Sequence, residues 1–516
     1  MNRRNFIRIS PAVFNLPYFL ACNGNRKDEL IDLKDIPFEI ISDQASGHLL
    51  FNKEDFLFSK SLKTKYLIVG GGIAGMSAAV KLKNQDFILC ELSDSLGGTA
   101  GAINFENQWL CQGAHYDLVY PEYFGEEVLN FLEELEVIRY QKLTANWGFV
   151  DKQFLIEPEK EGRTFYNRTI RDDIIPENKE GEAFLNLARG FSKKYKLPTR
   201  LIQPQYRELN NLSLQQYLKD KLKLTPELSA GIDYQMLDDF GGTAAEVSAL
   251  AGLYYYAARP YRTKDTEVFS PPQGNFYFIQ KMLEQLDNQA VEKILTNHLI
   301  SKIEAKKQGF VVEVIDIKNK KKNQIECDKI IYAGQKHALK YVYPADYHLF
   351  SNNTYSPWLV YNFVLNNDIL ETGFWQNEII SQINPTAKAF LGFVDSSAQY
   401  PWQTPYRVLT AYFCFPPIYR KNLEAAKFKE MAVYASREIC NYLKINPKQY
   451  TQSLQHIFVK VMGHAMPIPS PNYLFNDKNQ NKSNPNLVYA GVDNARLPLM
   501  LEAIDSGLEA VKILNT

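Results

Sequence analysis

The run "GGGIAG" at Gly70 to Gly75 is the first place in this 516-residue chain where residue type and spacing together imply chemistry. Read as G-x-G-x-x-G, it supplies Gly70 for a tight turn, Gly72 where a pyrophosphate must approach the backbone, and Gly75 where a helix must pack closely on a strand. Ile73 and Ala74 complete the turn. Its exposed N–H groups and the positive helix end behind them receive phosphate oxygens. Glu91 follows about twenty residues on, where an acid accepts hydrogen bonds from the hydroxyls of an adenosine ribose. A carboxylate there repels a 2'-phosphate, which argues against NADP.

These residues work only if regular elements hold them. Tyr66 to Val69 has the pattern of a short buried strand, Met76 to Leu82 reads as a small-residue helix, and Phe87 to Cys90 is a second apolar strand ending at Glu91. Strand, turn, helix, strand and acid in this order predict a dinucleotide site; a ligand-free glycine-rich loop would not need them. At the other end of the chain, Leu501, Ile504, Leu508 and Val511 give a final helix one apolar face, and Ala503, Ser506 and Gly507 let something bulky lie close to it.

Which dinucleotide is indicated by the pieces between. After Glu91 come "SDSLGGTAGA" and "QWLCQGAHYDL", then "SPPQGNFYFIQKMLEQL", "NHLISKIEAKKQGFVVEVI" and "CDKIIYAGQKHAL"; the chain closes on "NLVYAGVDNARLPLMLEAIDSGLEAVKIL". From about residue 62 to the C-terminus this order resembles the flavin amine oxidase superfamily, which also includes phytoene desaturases and protoporphyrinogen oxidases. The resemblance implies FAD as the cofactor. It implies that Gly97, Gly98 and Thr99 form a second diglycine turn, and Gly113, Ala114 and His115 the next flavin-contacting turn. Ile300 would meet adenine through its backbone, and Gly491 and Asp493 would hold the ribityl or phosphate region. Leu501, Glu502 and Ala503 would start the last helix under the pyrimidine end of the ring. Reduced flavin carries negative charge there, and a helix N-terminus stabilises such charge by about 0.3–1 kcal/mol.

The fold expected is α/β: a discontinuous Rossmann-like FAD-binding domain (62–134, 265–340 and 481–516) with an inserted α+β substrate domain (135–264 and 341–480). The first insertion holds helical patterns, "LSLQQYLKDKL" and "TPELSAGIDYQML", and a hairpin expected at "NWGFVDKQFLIEP". The second is rich in aromatic strand-like runs, "YSPWLVYNFVL", "PYRVLTAYFCF" and "HIFVKVMGHAMPIPSPNYLF". Most of these aromatics are expected to be sheet core. The exception is "MGHAMPIPSP", whose place before the final signature resembles the segment that reaches the flavin's reactive edge. His464 and Met466 are therefore the candidate catalytic residues, with a structural histidine in a proline-rich turn as the plainer reading of His464. Amine oxidases usually carry a lysine near flavin N5, but Trp358 or Leu359 stands at that place here.

Composition sets limits. Lys+Arg and Asp+Glu both number 58, so no summed field draws in nucleic acid. Beyond residue 22 no apolar run is long enough to span a bilayer. The six cysteines, Cys22, Cys90, Cys111, Cys327, Cys414 and Cys440, show no zinc, redox or disulfide spacing, and no metal site is expected. Paired carboxylates and a Ser-His-Asp order suited to hydrolysis are absent too. Residues 1–22 combine Arg3, Arg4 and Arg8, a modest apolar stretch from Pro11 to Ala21, and Cys22. They resemble a twin-arginine signal ending in a lipoprotein box, which predicts export and a lipid anchor at Cys22 facing the periplasm, followed by a tether over 23–61. The sequence thus leads to an exported FAD-dependent oxidoreductase acting on a C–N or allylic carbon of a small substrate. A dehydrogenase passing electrons to a membrane acceptor, and a non-enzymatic surface lipoprotein stabilised by flavin, are the alternatives.

Overall fold

Val, Ile and aromatic residues in short apolar runs build two large sheets, each drawing strands from distant parts of the chain. The computed structural model describes residues 31–51, 56–115, 124–156, 162–192, 194–258, 268–366, 373–381, 388–400, 402–476 and 478–516. The signal-type segment and Cys22 lie outside these residues.

The first sheet has seven strands in the order Ile294–Leu295, Phe87–Cys90, Leu57–Val69, Lys321–Tyr332, Phe310–Asp316 and His298–Ala305, with Leu487–Tyr489 also paired to Lys321–Tyr332. Leu57–Val69 runs parallel to both neighbours, with Tyr66 opposite Phe87 and Val69 opposite Cys90 and Tyr332. Parallel pairing buries both faces, hence the near-continuous apolar runs. The helices Ile73–Lys81 and Met500–Asn515 pack against each other. A Cβ added at Gly507 would lie 2.2 Å from the Ala74 carbonyl oxygen, so only glycine permits this approach.

The second sheet has eight strands in the order Phe38–Ile41, Leu454–Pro467, Tyr355–Asn366, Tyr406–Cys414, Phe390–Asp395, Gln376–Ile380, Gly162–Tyr166 and Thr169–Arg171. Both insertions contribute to it. Alternation divides its faces: Leu359, Tyr361, Phe363 and Leu365 join the core under helix Ala425–Leu443, while Trp358 and Val360 join the larger core shared with the other helices. The two helical patterns of the first insertion become Leu214–Lys219, opened by a Ser213–Gln216 capping box, and Pro226–Phe240, capped by Thr225.

Two local expectations are corrected. The stretch "NWGFVDKQFLIEP" is not a hairpin: Asn146–Phe149 pairs backwards with Ile138–Gln141, and Leu155–Ile156 pairs with Val268–Phe269. Phe149 stacks on Phe269 with ring centroids 4.6 Å apart, a long-range contact that overrides the local turn. The span 23–61 is not a free tether throughout. Ile31 and Leu33 are buried, Phe38–Ile41 adds as a parallel edge strand to Leu454–Pro467, and Leu57 already begins the long strand of the first sheet. Covering an open strand edge is the physical gain.

Candidate functional site

The glycine turn lies where Leu57–Val69 ends and helix Ile73–Lys81 begins. Gly70 takes φ +98°, and a Cβ at Gly75 would sit 1.9 Å from the Gly70 carbonyl oxygen, so the turn and the helix can meet only as glycines. No side chain caps the helix at Gly72, which leaves its first N–H groups for a ligand. Gly97 and Gly98 lie alongside: the Gly97 N–H donates to the Gly71 carbonyl at 3.0 Å, and a Cβ at Gly98 would meet nothing nearer than the Gly72 Cα at 3.7 Å. Two strips of bare backbone thus form a cradle whose N–H groups suit a pyrophosphate. A Cβ at Gly113 would lie 2.0 Å from the Thr99 carbonyl oxygen, and Ala114 donates to that same oxygen at 3.3 Å. This docks the third turn on the second.

Glu91, 7% exposed, ends its strand beside the cradle, with Oε2 accepting from the Gly71 N–H at 2.6 Å and Oε1 from the Ser93 N–H at 2.9 Å. Burial raises its pKa, and these backbone bonds oppose the rise. The backbone N–H of His298 donates to the Glu91 carbonyl at 2.8 Å. Ile300 follows on the edge strand His298–Ala305, whose outer backbone edge has no neighbouring strand among the described residues.

Asp493 is buried, and its surroundings contain a residue that the sequence reading missed. Its carboxylate accepts from the Lys336 backbone N–H at 2.9 Å, from Lys336 Nζ at 2.7 Å and from the Tyr355 hydroxyl at 3.1 Å. Lys336 is fully buried, and Nζ gives its other two protons to the carbonyls of Ala490 (2.6 Å) and Gly334 (3.0 Å). Its three donors are saturated. Burial lowers the Lys336 pKa while Asp493 opposes the fall. Gly491, at φ +111°, carries the chain past this pair.

His464 lies in strand Leu454–Pro467 and not in a turn. Its ring stacks on His337, centroids 3.7 Å apart, and both rings meet Tyr355 edge-on at 5.7 and 5.8 Å. Burial, with neighbouring His337 and Arg420, pushes His464 down to about 3; burial pushes His337 down to about 4. Both rings are therefore neutral at pH 7. His337 Nδ1 is buried without a partner among the described residues. The hydroxyl of Tyr355 links this pair to Asp493.

Met466, two residues on, belongs to a separate chain of contacts. It pairs with Ser356, whose Oγ reaches the Met466 carbonyl at 3.5 Å and accepts from Trp358 Nε1 at 3.1 Å. Trp358 meets Tyr412 edge-on at 6.0 Å, and Tyr412 donates to the Gly113 carbonyl at 3.2 Å and touches His115 Nδ1. Burial pushes His115 down to about 3, so this ring too is neutral. The sheet alternation separates the two: Trp358 joins the core that also holds the glycine-turn helix and the last helix, and Leu359 points under the covering helix. Tyr412 was legible only as sheet aromatic.

The last helix begins at Met500 with no side-chain cap at Leu499, and Leu501 is fully buried beneath it. Leu501, Glu502 and Ala503 lie in the first turn of this helix, and the Glu502 side chain is held by its neighbours. Its side chain accepts from the Thr199 N–H at 2.6 Å and from the Thr199 hydroxyl, and it faces Arg496 at 3.4 Å. Only its backbone, with that of Ala503, remains for a ligand. Burial raises the Glu502 carboxyl to about 7. Among the described residues no group of His, Cys, Asp and Glu is arranged to hold a metal, and no helix is long and apolar enough to cross a membrane. The five described cysteines are buried and unpaired, and burial raises their thiols.

Residues 68–135 match the family described as NAD(P)-binding Rossmann-like domain. Among curated proteins none matches the sequence. Among solved structures, a putrescine oxidase variant redesigned in cofactor binding superposes with a TM-score of 0.61 at 15% identity, covering 88% of this chain and 99% of its own. Cyclohexylamine oxidase from Brevibacterium oxydans gives 0.58 at 12% identity, over 88% and 100%. An oxidoreductase from Methanosarcina mazei gives 0.57 at 13%, over 86% and 100%. The fold is that of these oxidases. It is α/β, with a Rossmann-like dinucleotide-binding part and a large second sheet, and at these identities the likeness is one of fold.

Proposed function

We propose that this chain is an FAD-dependent oxidoreductase of the amine oxidase type, taking a hydride from a carbon next to nitrogen, or from an allylic carbon, of a small substrate. The observation that carries the reading is convergence. The cradle of Gly70–Gly75 and Gly97–Gly98, the Glu91 carboxylate, Asp493 and the uncapped start of the last helix come from opposite ends of the chain and flank one sheet. In this reading the cradle holds the pyrophosphate, Glu91 the adenosine ribose, the open strand edge at Ile300 the adenine, and Asp493 the ribityl chain. Bound FAD supplies the hydride acceptor. Trp358, Tyr412, Met466 and His115 wall the substrate side with rings and a thioether that exclude water. Trp358 at the place of the amine oxidase lysine favours passing electrons to a membrane acceptor over rapid use of dioxygen.

Anaerobic mixing with amines, amino acids and polyenes, followed at about 450 nm, tests the reading. Bleaching by one class identifies the substrate, and slow recovery in air marks a dehydrogenase. A bound flavin untouched by every substrate and every small reductant would leave the structural lipoprotein as the answer.

We also propose export by the twin-arginine route with lipidation of Cys22. Support comes from the cofactor: its pocket exists only in the folded chain, and that route moves folded cargo. An Arg3→Lys/Arg4→Lys chain is expected to stay in the cytoplasm with its flavin; normal export refutes the route.

A further inference from the structure

The strand Leu57–Val69 is far longer than the sheet it serves. Only Tyr66–Val69 pairs with Phe87–Cys90. The part from Leu57 to Thr64 overhangs that neighbour and pairs with Lys321–Cys327, which in turn forms a hairpin with Phe310–Asp316. The overhang is therefore one edge of a four-stranded ribbon, in which Leu57 lies opposite Lys321, Lys321 opposite Asp316 and Asp316 opposite His298. Its tip is apolar and cationic at once. Leu57 is 81% exposed and Phe58 63%, opposite Lys321 and Lys322. Lys60, Lys318 and Lys320 are exposed beside them. Among the described residues two carboxylates stand against these five lysines: Glu313, which pairs with Lys322 at 2.6 Å, and Asp316, which accepts from the Asn319 amide at 2.8 Å. A chain of zero net charge has thus gathered positive charge around two bare apolar side chains.

Among the described residues nothing buries Leu57 or Phe58. Water opposes the exposed leucine and phenylalanine, whereas a bilayer interface accepts both, and ammonium groups on long stems reach phosphate headgroups at the same depth. Nucleic acid would satisfy the lysines but leave Leu57 in water. The start of the chain agrees with a membrane: Ile31 is buried, and Cys22 is nine residues before it. Nine extended residues reach about 32 Å at most, so a lipid at Cys22 would hold the body close to a bilayer. We propose that the ribbon tip docks on an anionic membrane surface, as a non-covalent contact beside the lipid anchor. The anchor rests on the signal reading, but the ribbon contact does not.

The test uses the full chain carrying Cys22→Ser, which cannot be lipidated, sedimented with vesicles of phosphatidylcholine alone or mixed with phosphatidylglycerol. Preferential binding to the anionic vesicles is expected, weakening as salt is raised. Lys320→Glu/Lys321→Glu should lower that binding at least about tenfold. Leu57→Ser/Phe58→Ser should lower it on anionic vesicles while far-UV circular dichroism and the thermal transition stay unchanged. Equal binding to both vesicle types, variants that bind like the parent chain, or binding to DNA in place of vesicles would each overturn the proposal. None of these readouts depends on flavin.

Discussion

Replacing Lys336 with Met removes the buried cation that pairs with Asp493 and leaves a hydrophobic stem of similar length. In the structure the ammonium is fully buried and serves three acceptors: Asp493 at 2.7 Å, Ala490 at 2.6 Å and Gly334 at 3.0 Å. Removing one partner of a buried ion pair costs about 3–5 kcal/mol, mostly because the other charge stays behind unpaired. Two carbonyls also lose a donor, each worth about 1 kcal/mol or more where water cannot enter. Denaturant unfolding of the purified variant should therefore show a loss of at least about 3 kcal/mol at pH 8. Lys336→Met/Asp493→Asn should be more stable than the sum of its single variants predicts, because both charges leave together. A Lys336→Met chain within about 1 kcal/mol of the parent, or additive effects in the double variant, would refute the assignment of Lys336 as the clamp on Asp493.

Gly507→Ala should push the last helix off Ala74, since its Cβ would meet that carbonyl oxygen at 2.2 Å; a loss of about 1–3 kcal/mol in unfolding free energy and weaker FAD retention check it. Gly75→Ala, with its Cβ 1.9 Å from the Gly70 oxygen, should abolish flavin binding, as read by absorbance of the eluted protein. Glu502 has a folded pKa of about 7 against an unfolded value of about 4.3, so the stability it contributes is complete below the lower value and is lost as pH rises through 7. Glu502→Gln should flatten the fall in stability between about pH 5 and 8; an unchanged pH profile would count against the buried-carboxylate account.

How much of this was legible depended on sequence distance. Gly70 to Glu91 could be read because turn, helix and acid lie within one local unit whose geometry the glycines dictate. The last helix was legible from Leu501, Ile504, Leu508 and Val511 alone. Lys336 was not, because its meaning comes from Asp493, 157 residues away. Trp358 and Leu359 could not be told apart until helix Ala425–Leu443 showed which face of the sheet it covers. Phe38–Ile41 looked like tether because four residues carry little pattern; its strand character is imposed by pairing with Ile457–Lys460. Glu502 could be read as part of the helix start, but not its side-chain partners, because Thr199 and Arg496 are brought in by the insertion and by the preceding loop.

The most direct measurement is a titration of the purified, cofactor-stripped full chain with FAD, followed by visible absorbance and by the amount that stays with the protein after gel filtration. One equivalent should be retained, with bands near about 375 and 450 nm. A chain that folds cooperatively, yet elutes colourless after incubation with excess FAD, would contradict the account.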